Sequence, residues 1–528
     1  MTGFPHASLP DYALTVDRFL DHGAKWHAAA RVITAGSGGV DLEIGYDQLR
    51  DRANRLSGAL LDMGLAAGDR IATLAWNTQH HMEVWYAAMG AGLVCHTLNP
   101  RLTTAQLAAM VNQAEDRVLA VGMGLQDLAE ALLAACPSLE HLILLDGVET
   151  PTRQGLTDLE TLLIDRGRPA AWGRFDETAV AGLCFTSGTT GAPKGVTYTH
   201  RSNYLHTIRS LQADAMALTA EDVILVAVPM FHANAWGLPF AAPAVGAGLL
   251  LPGRITDGAS LARLIGTHGA TVAVGVPTVW LGLVEHLEQT DGDLPSLKRI
   301  IVGGSNCPDA LLQRLEDRLG VTVQTSWGMT ELSPLGAISP RSDSPRAARG
   351  AGRPAMGLDL MLVDSAGAPL PEQRNAVGRL KVRGHSVVDR YYGAEISALD
   401  ADGWFDTGDL AIIDEAGNLS LAGRSKDLIK SGGEWINPVE IEDIIGALPS
   451  VSLVAVIGRS DPKWGERPLM VVEPVHGEQI DEAALRAALK GRVADWWTPD
   501  RIVVVERMPL AATGKIDKTQ LRAAFGGE

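Results

Sequence analysis

Between residues 46 and 121 the chain keeps switching its hydrophobic period, and that switching limits the fold more than any other feature. The stretch 46–63 places Leu49, Ala53, Leu56 and Leu60 on one helical face. An apolar run at 70–76 then reads as a strand, 80–90 as a helix, 92–97 as a strand, 104–113 as a helix and 118–121 as a strand. The exchange returns with strands at 223–229 and 270–276 and helices at 260–266 and 311–319. Strands that alternate with helices need crossover connections, so the expected class is α/β, with layers of largely parallel strands.

The 528 residues exceed one simple core, so a large multi-lobed N-terminal part and a smaller domain are expected. From residue 358, short strands with turn signals at 364–367 and 414–418 suggest a β-rich subdomain. Asn437-Pro438-Val439-Glu440 reads as a helix start, with Asn as cap, Pro in the first turn and Glu440 as the capping-box acid. Strands at 453–457 and 469–475 and a helix at 481–489 then make a compact α+β module. The expected division is 1–425 and 426–528, and 343–350 reads as an exposed loop.

Net charge is −17, which disfavours a nucleic-acid partner. An anionic substrate must then be held by local basic residues and backbone N–H groups. Cys95, Cys136, Cys184 and Cys307 show no metal spacing and fit a reducing cytoplasm. The N-terminus has neither the basic start nor the apolar core of a signal peptide. The stretch 233–253 has no charged residue and is long enough to span a bilayer. Its Pro239, Pro243, Pro252, Gly237, Gly246 and Gly248 favour a broken helix and a buried strand, so no integral membrane segment is expected.

The most informative string is Thr186-Ser187-Gly188-Thr189-Thr190-Gly191-Ala192-Pro193-Lys194-Gly195, which follows an apolar strand at 180–185. Glycines let backbone N–H groups close on phosphate oxygens, hydroxyls add donors, and lysine adds charge. It is not a Walker loop, because Lys194 is followed by Gly195 and a strand-like run rather than by Ser or Thr opening a helix.

This loop resembles that of the adenylate-forming superfamily, which includes acyl-CoA synthetases, adenylation domains and firefly-type luciferases. Further strings match in order: Trp327-Gly328-Met329-Thr330-Glu331, Trp404-Phe405-Asp406-Thr407-Gly408-Asp409, Gly423-Arg424-Ser425-Lys426-Asp427, and Thr513-Gly514-Lys515. The resemblance implies ATP, Mg²⁺ and CoA, and a reaction in two halves. A carboxylate attacks the α-phosphate of ATP and expels pyrophosphate; a thiol then attacks the acyl-AMP.

It further implies that Thr186, Ser187, Gly188, Thr189, Thr190, Gly191 and Lys194 hold the terminal phosphates. Glu331 would hold Mg²⁺, Thr330 would touch the α-phosphate, and Trp327 would stack on adenine beside Gly328 and Met329. Asp409 and Arg424 would hold the ribose, and Gly304 and Ser305 would lie at the nucleotide. Lys515 would bridge the carboxylate and the α-phosphate. Lys426 would be the hinge on which the small domain turns. Lys430, Ser431, Gly432, Gly433, Glu434 and Trp435 would line the pantetheine tunnel in the second half.

The run Met230-Phe231-His232-Ala233-Asn234-Ala235-Trp236-Gly237 is similar to the acyl-pocket segment of medium-chain and 3-methylmercaptopropionate CoA ligases. Trp76-Asn77 and the run 96–102 agree. His232, Asn234, Trp236 and Gly304 are the expected contacts of the small-molecule acid, with His232 beside the reacting carboxylate. Three departures put chain length and polarity in question. Ala233 replaces Val, Asn306 replaces Ala and brings a polar group near the substrate, and Trp496-Trp497-Thr498-Pro499 replaces a Trp-Gln-Val/Ile-Pro pattern. A loader of a carrier protein is the alternative from another class, and the resemblance allows a homodimer.

Overall fold

Two large sheets carry the alternation read from the sequence. The computed structural model describes residues 12–36, 39–146, 156–186, 193–341, 350–432, 434–511 and 514–527. Ser187, Gly188, Thr189, Thr190, Gly191, Gly433 and all but the last residue of the loop expected at 343–350 lie outside these.

The first sheet has the strand order Leu156–Asp158, His141–Leu144, Val118–Val121, Arg70–Leu74, Val94–Leu98, Val180–Thr186, Lys194–Thr199. Its strands are parallel except the last, which returns antiparallel and pairs Lys194 with Thr186. The second sheet has nine strands. Its parallel centre is ordered Thr322–Gly328, Arg299–Val302, Val272–Gly275, Val223–Val226, Gly248–Leu251, Arg31–Thr34, with antiparallel strands at both edges.

Successive side chains of a strand point to opposite faces, and the buried residues sort accordingly. Ile71, Val118 and Ala120 of the first sheet share one core with Val32, Val226 and Val274 of the second. Ala72, Leu119 and Val121 face a second core, and Leu225, Leu250 and Ala273 a third. The helix Gln79–Gly90 lies in the shared core and is buried over nearly its whole surface. Its Tyr86 hydroxyl donates to the Pro239 carbonyl at 2.8 Å, and Trp85 and Tyr86 pack on Phe240.

The expected helices are present as Tyr46–Asp62, Gln79–Gly90, Thr104–Ala114, Gly258–His268 and Asp309–Leu319. The strands, however, stop earlier than their apolar runs. The ladders end at Leu74, Val226 and Gly275, whereas the runs continue to Trp76, Pro229 and Val276. Asn77 explains the first two endings. Its amide donates to the carbonyls of Val226 and Val228 at 2.8 Å each, and its oxygen accepts from the Met230 N–H at 2.7 Å. One side chain thus supplies the bonds that a continuing strand would have made, and it ties the two sheets together at their carboxyl ends.

The uncharged stretch breaks as expected, into a tight turn Ala233–Gly237, a helix Leu238–Val245 and a strand Gly248–Leu251. Among the described residues no helix is long and apolar enough to cross a membrane. The turn is unusual. Ala233, Asn234, Ala235, Trp236 and Gly237 all have positive φ, between 45° and 78°. For the four non-glycine residues that conformation costs roughly 1–2 kcal/mol each. Packing must therefore impose it.

Strands Leu358–Val363, Val377–Gly384, Phe405–Ile413 and Leu419–Arg424 form the expected β-rich unit as an antiparallel sheet. After Arg424, a five-stranded sheet starts at Ile429 and carries helices Pro438–Gly446, Glu482–Leu489 and Lys518–Phe525. Asn437 caps its helix by accepting from the Val439 N–H at 3.1 Å. Glu440 accepts instead from the Asn437 amide, at 3.0 Å, and does not close a capping box with the backbone.

A methyl group on Gly237 would lie 2.8 Å from the His206 ring, at φ +78°. Gly237→Ala should destabilise the protein by about 2 kcal/mol, read as a lower urea midpoint at unchanged slope. An unchanged midpoint would show that the turn is not held by this packing.

Candidate active site

Open α/β sheets bind ligands beyond the carboxyl ends of their parallel strands, where loops are free to vary. Four neighbouring strands of the nine-stranded sheet deliver the expected residues there. Trp327 and Gly328 end one strand, Gly303 and Gly304 follow the next, Val276 the third, and His232 the fourth.

Gly304 is the meeting point. Its φ is +83°, and an added Cβ would stand 3.2 Å from Val276, 3.5 Å from the Trp236 ring and 3.7 Å from Lys515 Cε. Lys515 therefore reaches from the C-terminal part of the chain onto the strand ends of the large part. The Thr278 hydroxyl fixes it there by donating to the Gly514 carbonyl at 3.0 Å. Burial pulls the Lys515 amine down to about 8; the charge of Arg424 adds to the effect and that of Asp409 opposes it. The His232 imidazole is pulled down to about 4, first by burial and then by the charge of Lys515. At neutral pH His232 is uncharged, so it can offer a hydrogen bond but no charge.

Asn234, expected at the acid, is buried and donates to Asn203 Oδ1 at 3.3 Å. It braces the left-handed turn that presents Trp236. Ser305 is exposed beside Gly304. Asn306, expected near the substrate, instead donates to Asp443 Oδ1 at 2.8 Å, on the helix Pro438–Gly446. Its polar side chain thus joins the two parts of the chain.

Asp409 and Arg424 face each other across adjacent antiparallel strands, with Arg424 Nε 3.0 Å from Asp409 Oδ1. The other Asp409 oxygen accepts from the Trp327 indole at 2.9 Å. Burial raises the Asp409 carboxyl; Arg424 and the indole oppose the shift. Trp327 was expected to stack on adenine. Its ring is only 6% exposed, packs in the core and crowds Gly336, while its N–H orients Asp409. Gly328 allows close backbone approach, since a Cβ would meet the Pro334 carbonyl at 2.3 Å. Met329 packs against the same core, and Thr330 is buried.

Thr186 and Lys194 form the base of the expected phosphate loop, the Thr186 hydroxyl donating to the Lys194 carbonyl at 3.4 Å. Glu331 is 8% exposed, and its Oε1 accepts from the Tyr391 hydroxyl at 2.9 Å. The Lys194 ammonium lies over the same tyrosine ring, 4.9 Å from its centre. Tyr391, Val276 and Thr278 belong to none of the motifs in the sequence. A tyrosine in Asp389-Arg390-Tyr391-Tyr392 carries no spacing signal for a site assembled from three separate segments.

The residues expected at the thiol tunnel bond within the C-terminal part. The Lys430 N–H donates to Glu466 at 2.9 Å, Ser431 accepts from Arg467 at 3.3 Å, and the Gly432 N–H donates to the Trp464 carbonyl at 2.8 Å. Glu434 is exposed, and Trp435 is 52% exposed with the Lys430 ammonium over its ring. Lys426 has its amine lowered by burial, and Asp427 next to it pairs with Arg522 at 2.7 Å.

The comparisons with known proteins place the whole chain in one family. A model of the AMP-binding enzyme family matches residues 21–392, and one of the AMP-binding enzyme C-terminal domain matches 440–515. The chain belongs to the AMP-binding enzyme family. It is 41% identical over 524 residues to the 3-methylmercaptopropionyl-CoA ligase of Ruegeria lacuscaerulensis, covering 97% of each chain. It is 39% identical over 526 residues to the medium-chain-fatty-acid–CoA ligase of Ectopseudomonas oleovorans, covering 97% of this chain and 96% of that one. ATP-bound MatB from Rhodopseudomonas palustris superposes with a TM-score of 0.83 at 26% identity, covering 97% and 99% of the two chains. The anthranilate CoA ligase AuaEII in complex with anthranoyl-AMP shares the fold, with a TM-score of 0.88 at 24% identity over 98% of both chains.

Lys515 carries its charge below about pH 8 and loses it above. The kcat/KM for ATP in pyrophosphate exchange, which reports the free enzyme, should therefore fall as pH rises through about 8. A profile flat to pH values near the ordinary lysine range would contradict this.

Proposed function

We propose that this chain is an acid:CoA ligase that forms an acyl-AMP from ATP and a carboxylic acid and then passes the acyl group to CoA. The observation that carries the reading is Lys515 seated against Gly304, close enough to lower the basicity of His232. A carboxylate and a triphosphate repel each other. A buried ammonium between them offsets that repulsion as negative charge builds on the α-phosphate.

Asp409 has lone pairs left after its two bonds and would accept from the ribose hydroxyls. Thr186 and Lys194, with Ser187, Gly188, Thr189, Thr190 and Gly191, would hold the terminal phosphates. Among the described residues no group of three His, Cys, Asp or Glu could hold an ion alone. Glu331 together with phosphate oxygens suits Mg²⁺, which takes few carboxylates. Bound there, Mg²⁺ would neutralise charge on the departing pyrophosphate. In the second half, the part from 426 on would turn at Lys426, withdraw Lys515 and bring Lys430, Ser431, Gly432, Gly433, Glu434 and Trp435 to the acyl-AMP. The Asn306–Asp443 bond would have to break in that movement.

His232, Trp236, Val276 and Gly304 would face the acid. The two ligases compared above, with 41% and 39% identity, support a medium-chain or 3-methylmercaptopropionate-like substrate. The test is a panel of straight, branched, thioether and aryl acids with ATP and Mg²⁺, with and without CoA. CoA-dependent AMP release with matching acyl-CoA is expected; acyl-AMP without acyl-CoA would instead indicate a carrier-protein loader. Trp236→Ala should move the kcat/KM ranking of acids toward bulkier ones by about tenfold or more. An unchanged ranking would remove Trp236 from the pocket.

A further inference from the structure

One short segment touches both charged groups assigned to the triphosphate. The Val388 N–H donates to the Glu331 carbonyl at 2.8 Å, and the Tyr392 N–H donates to the Gly195 carbonyl at 2.7 Å. The approach at Gly195 is close, since a Cβ there would lie 2.9 Å from Tyr392 Cβ. Between these backbone ties stands Tyr391. Its hydroxyl donates to Glu331 Oε1 at 2.9 Å, and its ring lies under the Lys194 ammonium at 4.9 Å. The two side chains belong to different parts of the fold, Lys194 to the seven-stranded sheet and Glu331 to the turn Thr330–Leu332.

We propose that Tyr391 is a positioning residue that sets Glu331 and Lys194 for a metal-bound triphosphate before the nucleotide arrives. The inference rests on the roles given to those two residues under the proposed function. A glutamate and a lysine have many rotamers, and fixing them on binding costs entropy. A phenol at neutral pH is a donor, so it fixes one carboxylate oxygen and leaves the lone pairs of the other for a cation. A half-exposed cation over a ring is held weakly, so Lys194 is kept near its place yet leaves readily for a phosphate. Site groups arranged before binding raise affinity by removing that cost.

Tyr391 also packs against the core around Trp327, so a purely structural role has to be separated. Tyr391→Phe keeps the ring and loses only the hydroxyl; Tyr391→Leu loses both. Calorimetric titration with ATP, in Mg²⁺ and in EDTA, provides the separation. The unaltered protein should bind ATP more tightly with Mg²⁺. Tyr391→Phe should lose about tenfold of that Mg²⁺-dependent gain with nucleotide affinity in EDTA unchanged. Tyr391→Leu should weaken binding in EDTA as well, because Lys194 loses its rest position. An intact Mg²⁺ gain in Tyr391→Phe would overturn the inference, and so would equal losses with and without Mg²⁺ accompanied by a lower melting temperature. Absence of any Mg²⁺ gain in the unaltered protein would strike the role of Glu331 itself and take this inference with it.

Discussion

The carboxylate of Asp409 is nearly out of water, at 3% exposure, and three strands from two sheets meet on it. It sits on the antiparallel sheet, accepts the indole N–H of Trp327 from the nine-stranded sheet, and pairs with Arg424, the last residue of the neighbouring strand Leu419–Arg424. Leaving such a charge buried without partners would cost several kcal/mol, so the three segments are held in one arrangement. That arrangement also sets the field at Lys515, where Arg424 lowers the basicity of the amine and Asp409 raises it. Asp409, proposed to hold the ribose, and Lys515, proposed to act at the reacting carboxylate, are thus linked through one charge pair.

A second constraint shapes the turn that carries Trp236. Five consecutive residues with positive φ turn the chain back beneath Trp236, and their cost has to be met by packing. Asn77 fixes the entry to the turn, Asn203 holds Asn234, and His206 closes on Gly237 while its ring accepts the Leu335 N–H at 3.1 Å. Burial keeps the His206 imidazole neutral, as that bond requires. A rigid turn holds the Trp236 ring over Gly303 and Gly304, where it limits the space beside Lys515.

The layers, the β-rich unit and the C-terminal module were legible because each has its own period or turn chemistry. The string 186–195 is legible as composition, hydroxyls, glycines and a lysine after an apolar strand, and the structure describes only its base, Thr186 pairing with Lys194. Other features were not legible, because the sequence carries residue type but not direction. Apolar runs continue past the strand ends because residues there, such as Ala75, Val228 and Val276, stay buried, while the Asn77 side chain takes backbone bonds of the 226–230 stretch. Asn306 looked like a substrate contact from its neighbours, yet its side chain bonds to Asp443. Trp327 matched a stacking motif, yet its ring is buried and its N–H serves Asp409. Tyr391 had no local signal, since its partners stand 60 and 197 positions away by residue number, at Glu331 and Lys194.

The account turns on Lys515 acting in the first half-reaction alone, and the two halves can be measured separately. Lys515→Ala should abolish acyl-AMP formation, read as pyrophosphate release in single turnover. It should largely spare acyl-CoA formation from supplied acyl-AMP and CoA. Equal loss of both halves would contradict the assignment, because a residue that leaves the site before the thiol enters cannot be needed for the thiol's attack.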